Sequence, residues 1–217
     1  MTVWLSIDTS MNACGVGVRK SDGQLFEINE RMDRGQSERL IPMVMDVLAR
    51  AGLTLPDVDA YAVTTGPGTF TGLRVGLSTI RTLAQVSGKP AIGVDTFEAL
   101  ACGIDARPLC ILIETKRTDY YTRLFENGAL HEGVCMSPDD LRDFIKPDWV
   151  LAGDAVDRAK AETGCTNQTI ALPAPKSVHI IALAEKALPN GPHALPEPHY
   201  LRDADVSISR RKFAKII

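Results

Sequence analysis

The sequence predicts an α/β protein built as two halves that share one plan: strand, hairpin strands, helix, strand, helix. The prediction rests on a repeated order of signals. Apolar runs at Val3–Ile7 and Leu109–Ile113 each close in a polar turn and lead into two further strands. A helical stretch follows in each half. After it comes another apolar run, Tyr61–Thr64 and Trp149–Ala152, feeding a glycine-containing turn and a second helix. The halves divide as residues 1–100 and 101–217, and their relation lies in element order alone.

In the first half, Val3–Ile7 is a buried strand closed by Asp8-Thr9-Ser10. Gly15–Arg19 and Gln24–Glu30 pair across the turn Ser21-Asp22-Gly23. A helix spans Ser37–Ala51, with Gly52 as its C-terminal stop; Pro42 marks its first turn or kinks it. Tyr61–Thr64 then enters a glycine-rich loop within the stretch Ala62–Gly76. Gly66, Gly68 and Gly72 give it backbone freedom and Pro67 stiffens it, while Thr69 and Thr71 offer hydroxyls to the next helix, Thr71 as the better N-cap. Such a loop can present an anion to a helix N-terminus. The spacing G-x-G-x-x-x-G is one residue too long for the dinucleotide fingerprint, and no Gly-Lys-Ser/Thr follows. Residue types alone leave two readings open, a phosphate cradle and a tight turn that packs a helix close to a sheet.

In the second half, Leu109–Ile113 ends in Glu114-Thr115. Strands Tyr120–Phe125 and Ala129–Met136 flank the turn Asn127-Gly128. A helix starts near Pro138-Asp139-Asp140 and stops before Pro147. Trp149–Ala152 leads through Gly153-Asp154 into a helix at Ala155–Thr163. A last helix at Val178–Leu188 precedes a connector from Pro189 to Pro198.

Composition is that of an ordinary globular chain: 217 residues, 45% hydrophobic and 24% charged, enough to bury a sizeable core. A formal charge of −3 argues against a protein that coats nucleic acid by charge alone. The local exception is the cluster Arg202, Arg210, Arg211, Lys212 and Lys215, which reads first as a solvated tail. Five dispersed cysteines without C-x-x-C fit reduced, mostly buried thiols. With no basic leader and no apolar run of spanning length, the expected location is cytoplasmic.

The string Gly66–Gly76, GPGTFTGLRVG, closely resembles the G-P-G-S/T-F-T-G-L-R-I/V-G signature of the TsaB family, and Pro198–Arg202 resembles that family's Pro-x-Tyr-Leu-Arg ending. The family comprises bacterial proteins of tRNA threonylcarbamoyladenosine synthesis, paralogues of the catalytic TsaD. The resemblance implies the actin-like ATPase (ASKHA, RNase H-like) fold. It implies a non-catalytic scaffold that pairs with a TsaD-type catalytic paralogue and works with a TsaE-type ATPase. It also implies a homodimer in their absence, indirect dealings with tRNA and none with membrane. No cofactor is required of this chain, with room for ATP or ADP at a subunit junction. The sequence departs from the family at Gln36-Ser37-Glu38, where relatives often carry His-Ser-Glu, and at Glu114-Thr115-Lys116, where many carry Asp-Ala-Arg. The second change replaces an arginine fork by a lysine point charge or moves it by one residue.

Asp8 stands where actin-like ATPases place a metal–nucleotide carboxylate, but no glycine follows it in the turn, so it reads first as a brace of that turn. The nucleotide-binding candidates are therefore Asp8, Gly66, Gly68, Thr69 and Gly72. His131, His179, His193 and His199 never fall as H-x-x-x-H, so no metal site is expected. No nucleophile elbow, zincin motif or Cys/His context supports the glycoprotease label of the wider family.

The helices say more. Leu40, Met43, Val44, Val47, Leu48 and Ala51 make a core-facing stripe, while Ile41, Met45 and Ala49 lie off it; Val75, Thr79, Leu83 and Val86 likewise form a second stripe beside Leu73, Leu77, Ile80 and Ala84. The resemblance assigns these two helices to partner binding, through Leu40, Ile41, Met43, Val44, Val47, Leu48, Val75, Thr79, Leu83 and Val86. On that expectation, charging Met43 and Val44 together abolishes pairing and leaves the monomer folded. The rival readings are an actin-like ATPase or small-molecule kinase using Asp8 and Gly66–Gly72, and a peptidase.

Overall fold

The computed structural model describes residues 2–126, 129–188 and 194–202. The first half runs β1 (Trp4–Asp8), β2 (Ala13–Arg19), β3 (Leu25–Arg31), α1 (Gln36–Ala51), a 3₁₀ turn at Leu55–Asp57, β4 (Ala60–Gly66), α2 (Phe70–Ser87), β5 (Ala91–Asp95) and α3 (Thr96–Ala101). The second runs β6 (Leu109–Glu114), β7 (Tyr120–Glu126), β8 (Ala129–Leu130), β9 (Val134–Met136), α4 (Pro138–Phe144), β10 (Val150–Gly153), α5 (Val156–Thr163), β11 (Thr169–Ala171) and α6 (Ser177–Ala187).

The two sheets share one topology. The first has the order β3-β2-β1-β4-β5, with β1 antiparallel to β2 and parallel to β4. The second has the order β11-β10-β6-β7-β8, with β9 also on β7, and β6 is antiparallel to β7 and parallel to β10. Read from its opposite edge, the second sheet repeats the first strand for strand. This is the duplicated βββαβα plan of the actin-like, RNase H-like fold, with one further strand and helix closing each half. The third strand of the second half differs from the expected continuous run. It is two short pieces, both on β7, and the expected turn Asn127-Gly128 between strands lies outside the described residues.

Alternate residues of each buried strand serve different layers. Leu5, Ile7, Val16 and Val18 pack with the inner faces of α1 and α2, through Leu40, Met43, Val44, Val47, Leu73, Leu77 and Ile80. Trp4, Ala60, Ala62, Ile92 and Val94 face the other way, onto Ile180, Ile181 and Ala184 of α6. So the last helix of the second half covers the first sheet. In exchange, Phe97, Leu100 and Ala101 of α3 pack on Leu109, Ile111, Ile113 and Ala152 of the second sheet. The halves are interlocked by this trade of helices, and Met11, from the β1–β2 turn, joins the same inter-half cluster.

Pro42 lies inside α1, neither at its first turn nor at an end, and on its exposed side. Its missing N–H leaves the Glu38 carbonyl without a helical donor, a loss that solvent can make good there. Of the five cysteines, Cys14 and Cys110 are buried and the other three half-buried, all unbridged, so burial of the thiols is less general than expected. Among the described residues no helix is long and apolar enough to cross a membrane.

Candidate functional site

The glycine loop is shaped by the turn after β1. Thr69 is the N-cap residue of α2, and Thr71 lies inside its first turn, so the expected cap at Thr71 is corrected. Neither hydroxyl caps the helix; the loop is held at its entrance, where the Thr69 N–H donates to the Ser10 carbonyl at 2.7 Å. A Cβ on Gly68 would stand 2.2 Å from the Ser10 carbonyl oxygen, and one on Gly72 only 2.0 Å from that of Thr9. Thr9 Oγ1 in turn donates to the Gly72 carbonyl at 2.7 Å. These glycines admit the backbone of the chain's own turn. Gly66, at φ 118°, admits the His199 carbonyl, which would lie 2.4 Å from a Cβ there.

Asp8 sits beneath this contact and is sealed from solvent at 1% exposure. Its Oδ1 accepts from the Ser10 N–H at 3.1 Å, the Ser10 hydroxyl at 2.6 Å and the Thr64 hydroxyl at 2.6 Å, while Oδ2 is buried without a partner among the described residues. Burial raises its pKa above the ordinary carboxylate range, and the hydrogen bonds from Ser10 and Thr64 oppose the rise. The geometry is that of a brace joining β1, its turn and β4.

The matching turn of the second half is tied just as firmly. Glu114 Oε1 accepts from the Lys116 N–H at 2.9 Å, and Oε2 lies 3.0 Å from Arg158 Nε. Arg158 also donates to the carbonyls of Arg117 and Asp119, each at 2.7 Å, and its guanidinium lies 3.9 Å over the Tyr120 ring. The Glu114 N–H donates at 2.9 Å to Asp154, whose pKa is raised to about 6, chiefly by burial. Lys116, at φ 59°, directs its Nζ to the Asp33 carbonyl at 3.4 Å, across the gap between halves.

Between the glycine loop and the turn after β6 lies a cleft of about 640 Å³. Gly68, Thr69 and Gly72 line it, whereas Asp8 and Gly66 do not, so the structure divides the expected nucleotide residues. Arg34, Phe70, Lys116, Arg117, Tyr200 and Arg202 also line it, and sequence reasoning assigned none of them a role there. The available signal was the Pro198–Arg202 motif. It straps the two halves together: the His199 N–H donates to the Thr65 carbonyl at 2.7 Å, Tyr200 packs its ring 5.1 Å from that of Phe70, and Arg202 pairs with Asp119. Of the expected C-terminal cationic cluster, only Arg202 lies within the described residues. Also among them, no group of three His, Cys, Asp or Glu side chains is placed to hold a metal.

The second candidate is the outer side of α1 and α2. Here the expected partner residues divide sharply. Leu40, Met43, Val44, Val47 and Leu48 are at most 1% exposed and belong to the core under the first sheet, so they are corrected from partner contacts to internal packing. The stripe that points to the sheet cannot also face a partner, and charges at Met43 and Val44 would unfold the chain. Ile41 and Met45 are instead about half exposed, at 50% and 52%, and Val86 is 84% exposed. Ala49 is exposed, and Val75, Thr79 and Leu83 are half-buried. The result is an apolar surface along two adjoining helices. Leu83 and Val86 also line a crevice of about 420 Å³ with Leu55, Pro56 and Tyr61.

Known proteins agree with this architecture. A family model described as "TsaD: tRNA N6-adenosine threonylcarbamoyltransferase" matches residues 29–140. The tRNA threonylcarbamoyladenosine biosynthesis protein TsaB of Haemophilus influenzae is 32% identical over 202 residues, covering 83% of this chain and 84% of that protein. Its Escherichia coli counterpart is 32% identical over 163 residues, covering 69% and 70%. Among solved structures, a Pseudomonas aeruginosa protein described as similar to peptidase YeaZ superposes with a TM-score of 0.75 at 27% identity, over 93% of this chain and 100% of that one. The structure named YeaZ from the same organism gives 0.70 at 25%, over 86% and 92%. With sequence and fold in agreement over most of its length, the chain belongs to the TsaB (YeaZ) family.

Proposed function

We propose that this chain is a non-catalytic scaffold in the synthesis of threonylcarbamoyladenosine on tRNA, the process named in its relatives. In this reading the outer side of α1 and α2 docks on a TsaD-type catalytic paralogue, a TsaE-type ATPase completes the assembly, and a second copy of the chain takes the surface when they are absent. The work is done in the cytoplasm. One observation supports the reading most: Ile41, Met45 and Val86 leave large apolar area in water on a pair of helices whose inner stripes are already satisfied. The burial of Asp8 points the same way, because a carboxylate closed off beneath the glycine loop cannot reach a metal–nucleotide in the cleft.

Covering two half-exposed side chains is worth about 1 kcal/mol each. Replacing them with carboxylates adds the cost of burying charge. Ile41→Glu with Met45→Glu therefore weakens association at least about thirtyfold, since two such contributions alone reach that factor. Copurification with the TsaD-type protein measures it, with circular dichroism showing that the variant stays folded. Full-yield copurification of the folded double variant would refute the docking surface.

A further inference from the structure

We propose that the cleft between the halves is an RNA-binding surface, taking phosphates at its mouth and one unstacked base on the Phe70–Tyr200 pair. The inference rests on the tRNA reading above and adds a direct contact to it.

The charge distribution carries the argument. The chain as a whole has a formal charge of −3, yet four cationic side chains, Arg34, Lys116, Arg117 and Arg202, line this one concavity, and the only carboxylate among its described lining residues is Asp33. Arg202 is occupied by Asp119, whereas among the described residues Lys116 Nζ reaches a backbone carbonyl, at 3.4 Å. The cations come from both halves, Arg34 from the segment before α1 and the others from the opposite wall, so an anionic strand lying in the cleft meets both walls at once. A concave cationic wall concentrates polyanions more strongly than isolated surface charges do.

The apolar content of the cleft favours nucleic acid over an acidic peptide. Phe70 and Tyr200 are 37% and 36% exposed, with rings 5.1 Å apart, and Arg74 stacks 3.7 Å over Phe70 and donates to the Tyr200 hydroxyl at 3.3 Å. Aromatic rings beside guanidinium groups form a platform on which single-stranded bases stack without sequence preference. A free nucleotide fits less well. The carbonyls of Thr9 and Ser10 already occupy the backbone approach that Gly72 and Gly68 open, and Arg34, Lys116 and Arg117 are exposed along the cleft.

The test is fluorescence anisotropy of a fluorescein-labelled single-stranded RNA and of an unmodified tRNA transcript, titrated with the protein over a series of KCl concentrations. Arg34→Ala with Lys116→Asn, the asparagine chosen because it tolerates the positive φ, removes two phosphate contacts. It should flatten the dependence of log K on log salt by about 1.4 for single-stranded RNA. Tyr200→Leu should lower affinity about tenfold and leave the slope unchanged. Equal slopes for the double variant and the wild type, or tighter binding of ATP than of RNA, would overturn the inference. The two proposals separate cleanly. Arg34→Ala/Lys116→Asn keeps its copurification with the TsaD-type protein, and Ile41→Glu/Met45→Glu keeps the wild-type salt slope.

Discussion

Two methionines two positions apart on α1 separate the roles of its two sides. Met43 is 0% exposed, packed with the core beneath the first sheet; Met45 is 52% exposed on the outer side. Truncating a buried methionine to alanine removes its transfer free energy and leaves a cavity, about 2–5 kcal/mol together. A domain of this size loses about 2–4 °C of Tm per kcal/mol, so Met43→Ala should melt roughly 6–12 °C lower for a loss of about 3 kcal/mol. Met45→Ala removes atoms that are half in water and leaves no internal void. Its Tm should shift by less than about 2 °C, as for a surface change within 0.5 kcal/mol. Association should respond the other way, Met45→Ala weakening it by about fivefold through loss of about 1 kcal/mol of burial. Thermal melts followed by circular dichroism and quantitative copurification read the two effects separately. The reasoning fails if both variants melt alike, or if Met43→Ala weakens pairing at an unchanged Tm.

Two further predictions concern the turns that close the cleft. Asp154 has its pKa raised to about 6 by burial, against an ordinary 3.8, so the folded state holds this proton more tightly. Its contribution to stability is complete below about pH 4 and lost as pH rises through 6. Asp154→Asn keeps an oxygen for the Glu114 N–H and removes that loss. Urea midpoints should show wild type falling behind the variant between about pH 4 and 7 by on the order of 2 kcal/mol, and parallel profiles would contradict it. Gly72→Ala places a Cβ 2.0 Å from the Thr9 carbonyl oxygen. Alanine normally gains about 1 kcal/mol over glycine inside a helix, but here overpacking should leave a net loss of about 2 kcal/mol in denaturant titration; an unchanged midpoint would mean the turn has slack.

Much of the fold is legible in the sequence because its signals are local. Gly52, in the left-handed region, ends α1 where a helix stop is expected, and the apolar runs of β1, β4, β6 and β10 are buried strands. The strand Ala91–Asp95 is not legible because Gly93 interrupts its apolar run, and the helix Thr96–Ala101 is too short to show a helical period. The destination of α6 was hidden for a different reason. Ile180, Ile181 and Ala184 announce a buried helix, but periodicity cannot say which sheet buries it.

The site follows the same division. The glycine loop was visible, but its partner, the turn at Thr9–Ser10, lies some sixty residues earlier in the chain. On α1 the two stripes were both visible, and the burial of one by the first sheet decides which of them reaches solvent. The cleft cations come from segments far apart in sequence, so only the folded chain brings Arg34 to face Lys116 and Arg117.

On the proposed reading, the apolar outer side of α1 and α2 is the working part of this protein. The decisive quantity is the heat capacity change on binding the TsaD-type paralogue, from calorimetry at several temperatures. Burial of the Ile41, Met45 and Val86 surface predicts a clearly negative value that shrinks in Ile41→Glu/Met45→Glu. A value near zero, or a negative one that the double variant leaves untouched, would contradict it.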